Sequence, residues 1–413
     1  MSVPEQPTTS RRSLRHPVYL RLLASTLVTY GARFLDMTML SWLVAQRTED
    51  PLPIALLSFF RFAPFLLLGP TVGFLADRFP RLRMVRVAQS GLAVQAALMA
   101  MLLLSQALEL WYIYLYALIQ GLLFILDSTS RRSYLAGTVG TSNVTAALSI
   151  DMLGMTVSRI LFANAGGVLL DASSPRWVYV GLTAMAVLSA TLTWRLPRLF
   201  HDRDKSDREP FLVSLQGGIA FARSSRVVLG GLLLVALANL TAFSYEAVVP
   251  AVAAQVFHAG PIEFGWFLSA TGAGSLCTGL WLSVRGTKLQ RPGLVGLLAV
   301  TALHGVQVLF SYANTVPLAL LGLAVIGAIG TVFSISHSSL FLTATPDHLR
   351  GRVLGLQVVM MGTYPLSSLT VGWLGNHVGP LVAIRYVALA GLVWVAFLIL
   401  LVPELRQRID TDA

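Results

Sequence analysis

The chain has 413 residues, of which 55% are hydrophobic and only 12% charged, and its mean hydropathy is +0.71. A soluble domain is about 45–50% apolar and about 25% charged, so this chain could not clothe itself in polar surface, and an ordinary soluble enzyme is excluded. One cysteine, Cys277, excludes internal disulfides and thiolate metal clusters.

A bilayer core about 30 Å thick takes about 20 mostly apolar residues as a helix. In chain order such runs fall at 18–46, 53–76, 83–106, 109–128, 144–170, 176–196, 227–256, 261–284, 293–312, 315–344, 354–376 and 380–402. The expected fold is therefore an all-α polytopic membrane protein with twelve transmembrane helices. The arginines at the N-terminus lead into the first run with no small-residue cleavage site, so that run is expected to remain as a span.

The formal charge of +11 acquires meaning from its position. Most Lys and Arg fall in the terminal tails and the even-numbered connections, whereas the odd-numbered connections hold only Arg47 and Arg176. By the positive-inside rule both termini are expected in the cytoplasm. The basic balance is thus a topology signal, and nucleic acid is not expected as a partner. The longest polar interruption, 198–210, separates six runs from six, and 211–224 reads as an amphipathic helix on the cytoplasmic surface. The resulting division is a cytoplasmic tail at 1–17, a six-helix bundle at 18–197, a linker with its helix at 198–225, a second bundle at 226–403 and a tail at 404–413.

The two bundles echo each other. Asp36 precedes Gln46 near the end of span 1 as Glu246 precedes Gln255 near the end of span 7, and Gly73 precedes Arg78 as Gly279 precedes Arg285. Such correspondence is what a duplicated, pseudo-symmetric transporter shows.

A charge near the bilayer centre costs about 2.5–3.5 kcal/mol on insertion scales, so each one marks a candidate site. Arg33 and Asp36 share a face of span 1 with Tyr30 beside them. At 1.5 Å per residue Arg33 and Asp36 lie about 22 and 27 Å from the cytoplasmic end, and Arg61 of span 2 about 24 Å, so Asp36 is expected to pair with Arg33 or Arg61. Glu246 lies about 30 Å along span 7, on one face with Asn239, Phe243 and Pro250. Asp36 and Glu246 are the candidate proton-coupling groups. Burial favours the neutral acid and a nearby guanidinium favours the carboxylate, so separating such a pair changes proton affinity. The bland alternative for each is a static ion pair. Arg159 of span 5 either receives an anionic part of the cargo or pairs with an acid, while Arg21 and Arg385 near span ends are expected to snorkel.

His304 and His337 are the histidines deep in the membrane, and neither has convergent ligands at metal spacing, so no metal is expected. No nucleophile elbow, Walker loop or dinucleotide fingerprint is present; the reading is neither an enzyme nor an ATP-driven pump, and no cofactor is expected.

The connection after span 2 reads Gly73-Phe-Leu75-Ala76-Asp77-Arg78-Phe-Pro80-Arg81. It resembles motif A of the major facilitator superfamily, departing from it at Pro80 and Leu82. Three further stretches are similar to that superfamily's bacterial exporter branch, with its enterobactin-exporter-like and macrolide-efflux-like proteins. They are Arg61-Phe-Ala-Pro64 with Gly69-Pro70, Asp127-STS-Arg131-Arg132 placed after span 4, and Pro346-Asp347-His-Leu-Arg350-Gly351-Arg352. Two signatures of the superfamily are replaced: Phe162-Ala163 stands for the Gly-Pro of the span 5 antiporter motif, and Ala117 for the span 4 arginine.

The resemblance implies alternating access, with Gly73, Asp77, Arg78, Arg81, Asp127, Arg131, Arg350 and Arg352 as a cytoplasmic gate. It implies a cavity walled by spans 1, 4, 7 and 10, hence by Tyr30, Trp42, Tyr112, Tyr116, Gln120, Asn239, Phe243, Tyr245, Phe333, Ser336 and His337. For each aromatic the alternative is ordinary packing or, for Tyr112 beside Trp111, an interfacial belt. The expected activity is proton-coupled export of a small amphiphilic organic compound, a drug or siderophore, by a monomer among the lipids of a bacterial inner membrane. Import of a nutrient or metal chelate, and a non-transporting receptor or scramblase, are the alternatives.

Overall fold

The computed structural model describes residues 17–139, 143–197, 211–285, 289–346 and 349–408; within these, the side chains of 68–78, 145 and 211–215 lie outside the description. Every regular element described is helical. In chain order these are α1 Pro17–Ala45, α2 Pro51–Arg78, α3 Arg81–Leu104, α4 Leu110–Val139, α5 Val144–Ala172, α6 Pro175–Trp194 and α7 Phe211–Ser224. There follow α8 Arg226–Val256, α9 Pro261–Arg285, α10 Pro292–Phe310, α11 Val316–Ala344, α12 Arg350–Met361, α13 Tyr364–Val378 and α14 Pro380–Leu401.

Proline sits at the first turn of α6, α10, α11, α13 and α14, where its missing N–H costs nothing. Ser225 caps α8 by accepting the Val228 N–H at 3.4 Å. Between α13 and α14 the turn is a single residue, Gly379, at φ +84°, a conformation that a side chain would oppose.

Nine helices among the described residues are long and apolar enough to cross a membrane by length and composition. Helix α2 is outside that count because its side chains are described only over Pro51–Leu67, and two other departures from twelve uninterrupted rods have physical reasons. Helix α1 is long, but Arg21, Arg33 and Asp36 dilute its apolar character. The expected span 354–376 is two helices, α12 and α13, broken at Gly362–Thr363. Pro365 has no N–H for the carbonyl of Met361, where α12 stops.

Helix α8 is likewise irregular: α-helical to Leu237, π-helical over Ala238–Ala242, 3-10 over Ser244–Ala247 and π-helical again over Val252–Val256. Pro250 cannot donate to the carbonyl of Glu246, so the irregular turn falls at the acid itself. Helix α4 departs in the other direction, running eleven residues past the expected end at 128. Asp127 through Arg132 therefore belong to its last turns rather than to a connection.

Each half has its own apolar core: Leu35, Met39, Ile54 and Tyr179 in the first, and Val235, Phe264, Leu303 and Phe333 in the second. The halves meet along α5 with α9 and α2 with α13. Gly265 of α9 lies so close to α5 that a Cβ there would stand 2.8 Å from the Ala163 carbonyl. Gly372 of α13 packs against Ala55 and Leu52 of α2, and the Leu52 N–H donates to Asn376 Oδ1 at 2.7 Å. Small residues permit this backbone approach, the usual device where no hydrophobic force draws helices together in lipid. Trp42 meets Phe264 edge to face across the same seam, with ring centroids 5.2 Å apart.

Candidate functional site

Helix α1 carries Asp36 into the middle of the first half, where only 2% of the residue is exposed. Its Oδ1 accepts from Tyr116 OH at 3.0 Å and Tyr179 OH at 2.8 Å. Its Oδ2 accepts from Gln120 Nε2 and lies 3.4 Å from Arg61 Nη2. Donors from α2, α4 and α6 thus converge on one carboxylate of α1, which is how a buried charge is held without water. Arg61 reaches it because Gly121 lets α4 press against the Arg61 backbone carbonyl.

Of the two expected partners, then, Arg61 pairs with Asp36. Arg33 instead lies over the Phe124 ring, its Cζ 3.4 Å from the centroid, a cation–π contact. Arg33 and Asp36 also line a cavity of ≈ 40 Å³ inside this half, together with Thr29, Gln89, Gln120 and Ser189.

The second acid is placed differently. Glu246 Oε1 accepts from Arg159 Nη2 at 3.3 Å, an ion pair between the halves whose side chains are about a third exposed, 32% for the arginine and 35% for the acid. Arg159 also donates to Thr271 Oγ1 of α9 at 2.7 Å. Between α2 and α13, Phe62 and Tyr364 meet edge to face at 5.0 Å. The two acids therefore do not face each other across the seam: Asp36 is satisfied within its own half, while Glu246 reaches into the other. Their spacing along matching helices gives no sign of this difference, because Asp36 is turned inward toward α4 and α6 and Glu246 outward toward α5.

The other expected wall residues separate into groups. Tyr116 and Gln120 are the ligands of Asp36. Tyr30 is buried and donates to Asp151 Oδ2 at 3.2 Å. Trp42 lies in the seam, and Tyr112 stacks on Trp111 at the end of α4, centroids 3.7 Å apart. Asn239 donates to Val235 O within its own helix. Phe243 and Phe333 stand 6.0 Å apart, and Tyr245, Phe333, Ser336 and His337 are all buried in the second half. His337 Nδ1 bonds to Phe333 O, and His304 is held between Val300 O and Thr241 Oγ1.

Of the expected gate, the side chains of Gly73, Asp77 and Arg78 lie outside the described residues, as do Asp347 and His348. Arg81 donates to Ser133 O at 3.0 Å, and Arg350 to Leu342 O at 3.0 Å. The side chain of Arg352 lies against Gly217 and Gly218 of α7. Asp127 and Arg131 form a buried pair at 2.9 Å along α4, with Arg131 reaching Ser25 and Thr26 of α1. The contacts of this pair brace the inside of the first half.

Tyr179, Gln89, Ser25, Thr29, Ser189 and Thr193 join the polar interior although no motif singles them out. Ser25 bonds to Thr193 at 2.8 Å, and Thr29 to Ser189 at 2.7 Å. For Ser25, Thr29, Ser189 and Thr193 the signal that could find them is the four-residue repeat of hydroxyls on α1 and on α6, which sets one polar stripe on each helix; Tyr179 and Gln89 carry no such signal.

The family profile described as transmembrane secretion effector matches residues 8–412. The chain belongs to this family of major facilitator transporters. Among its relatives, the enterobactin exporter EntS of Citrobacter koseri is 29% identical over 341 residues, covering 81% of this chain and 80% of that one. The staphyloferrin A transporter of Staphylococcus aureus is 22% identical over 352 residues, covering 84% and 86%.

Solved structures share the fold. A bacterial homolog of the human lysosomal transporter Spinster, inward-facing and unoccupied, superposes with TM-score 0.72 at 13% identity over 94% of this chain and 98% of that one. The nucleoside transporter NupG gives TM-score 0.66 at 15% identity over 94% and 99%. The protein is accordingly a multi-pass membrane transporter, and its family and relatives are transporters rather than enzymes.

Proposed function

We propose that this transporter exports a small organic compound of the siderophore class across a bacterial inner membrane, driven by proton entry, with twelve membrane passages and both termini in the cytoplasm. The observation that carries the reading is the Arg159–Glu246 pair. It bridges the halves at 3.3 Å, is partly open to solvent, and sits on an irregular turn of α8. A carboxylate that trades a guanidinium for a proton when two bundles separate is the minimal element coupling proton movement to a conformational change.

Alternating access has support in where the halves touch. Contacts run from Leu52, Trp42 and Gly167 at one end to Arg159 and Tyr364 at mid-depth. The placement of basic residues assigns that end to the periplasm, and closure there supports an inward-facing form. Import is less consistent with the relatives, whose printed names include an exporter of enterobactin.

Purified protein in liposomes, with an imposed pH gradient and an iron-free catecholate or hydroxycarboxylate siderophore as probe, tests the reading. Gradient-driven movement is expected from the unmodified chain, and Glu246→Gln is expected to reduce it to the protein-free level. Equal transport with and without the gradient removes proton coupling, and absence of movement for either probe removes the substrate class.

A further inference from the structure

The interior of the first half holds an imbalance of charge. Asp36 and Arg33 line the cavity of ≈ 40 Å³, and Arg61 meets Asp36 from outside that lining. Asp36 is ion-paired with Arg61, and among the described residues Arg33 makes no ion pair. A guanidinium left without a counter-charge among apolar helices costs several kcal/mol, which pairing or an anion must offset.

Two donors that face this space are without protein partners. Arg33 Nη1 and Gln89 Nε2 are buried and unbonded, although Gln89 is only 1% exposed and lines the cavity beside Arg33. Hydroxyls of Thr29 and Ser189 lie on the same wall. Leu92, Ala96, Leu182 and Ala186 close the remainder with apolar surface. Gln120 Oε1 is the unpaired acceptor of the set.

We infer that this cavity is a binding site for one small inorganic anion of chloride size. Arg33 supplies the charge, Gln89 Nε2 donates, and Phe124 holds the guanidinium in place from its other face. The volume suits such an ion: a water needs about 10–15 Å³ on this scale, so the space takes a halide with a water that donates to Gln120 Oε1. An organic cargo does not fit, which separates this site from the seam between the halves and makes the inference independent of the proposed substrate. Asp36 opposes the anion by its charge, but both its oxygens are occupied by donors from other helices. Anion binding and loss of the Asp36 charge therefore favour each other.

Thermal unfolding of the full chain in detergent, titrated with sodium bromide against sodium gluconate at constant ionic strength, reads the site. The unmodified protein is expected to gain stability with a saturable bromide dependence. Arg33→Gln is expected to weaken the apparent affinity at least about tenfold and Gln89→Leu less, as for the loss of a charged and of a neutral hydrogen bond. Asp36→Asn is expected to strengthen it. Because that variant gains rather than loses, a folding defect cannot imitate it. Anomalous diffraction from bromide in the unmodified protein provides a second reading, with the peak between Arg33 and Gln89. A halide effect that is absent, or unchanged in Arg33→Gln, Gln89→Leu and Asp36→Asn, overturns the inference, as does anomalous density only on the protein surface.

Discussion

Arg159 on α5 and Glu246 on α8 meet at 3.3 Å, so that a cation of one six-helix half neutralises an anion of the other. Neither is sealed: about a third of each side chain remains exposed. Water screening keeps the energy of such a pair well below that of a fully buried one, and that small energy lets the contact break and re-form during a transport cycle.

Neutralising Arg159 should uncouple the transporter in the same direction as neutralising its acid. Arg159→Gln leaves Glu246 without its cation and Thr271 without its donor. Gradient-driven transport in liposomes is expected to fall sharply, while exchange of labelled for unlabelled substrate without a gradient is retained in part. Loss of exchange together with net transport would make the pair a structural strut.

The Asp36–Arg61 pair behaves differently, because both side chains are almost wholly buried. Arg61→Gln is expected to destabilise the protein by about 3–5 kcal/mol, the penalty of stranding a buried charge. The double variant Asp36→Asn with Arg61→Gln is expected to recover most of that loss, since no charge is then left behind. Thermal unfolding of the single and double variants forms the cycle; strict additivity would show that the two groups are not coupled.

Tyr179 is the donor to Asp36 that periodicity does not mark. Tyr179→Phe removes a 2.8 Å bond to a carboxylate and is expected to cost about 1.5–3 kcal/mol, the range for hydrogen bonds to charged groups. Thr183→Ala, on the same helix but bonded only to the Tyr179 carbonyl, is the control. Equal Tm shifts in the two variants would deny Tyr179 its special role.

The seam between halves should yield to a wedge. Gly265→Val places a branched side chain where a Cβ alone would stand 2.8 Å from the Ala163 carbonyl, and such overpacking costs about 1–3 kcal/mol. That clash exists only while the halves are joined, so the expected result is a shift toward the form open at that end. Accessibility of a cysteine introduced at Leu52, in a chain whose Cys277 is replaced by serine, should rise; unchanged labelling would place the seam's stability elsewhere.

Much of this architecture is legible in the residue pattern. Runs of about 20 apolar residues specify helices because a backbone in lipid must satisfy its own hydrogen bonds, and Pro250 and Pro365 mark where that ladder breaks. The depth count that puts Asp36 and Arg61 at one level agrees with their contact, since 1.5 Å per residue is a property of the helix and of nothing else. The same pattern makes α4 too short, because Asp127, Arg131 and Arg132 look like the end of a span. They stay helical because Asp127 and Arg131 neutralise each other one turn apart and Arg131 bonds to α1.

Amino-acid order alone settles which residues are charged inside the bundle and how deep along their helices they lie. It leaves open their partners: Asp36 takes Arg61 and not Arg33, Glu246 crosses to Arg159, and Tyr179 and Gln89 join from positions that no repeat marks. Spacing fixes a side chain's height and face on its own helix. Which neighbour that face meets depends on how the helices are rotated and how closely they approach, and that is set by small-residue contacts such as Gly121 on Arg61 and Gly265 on Ala163, between residues far apart in the chain.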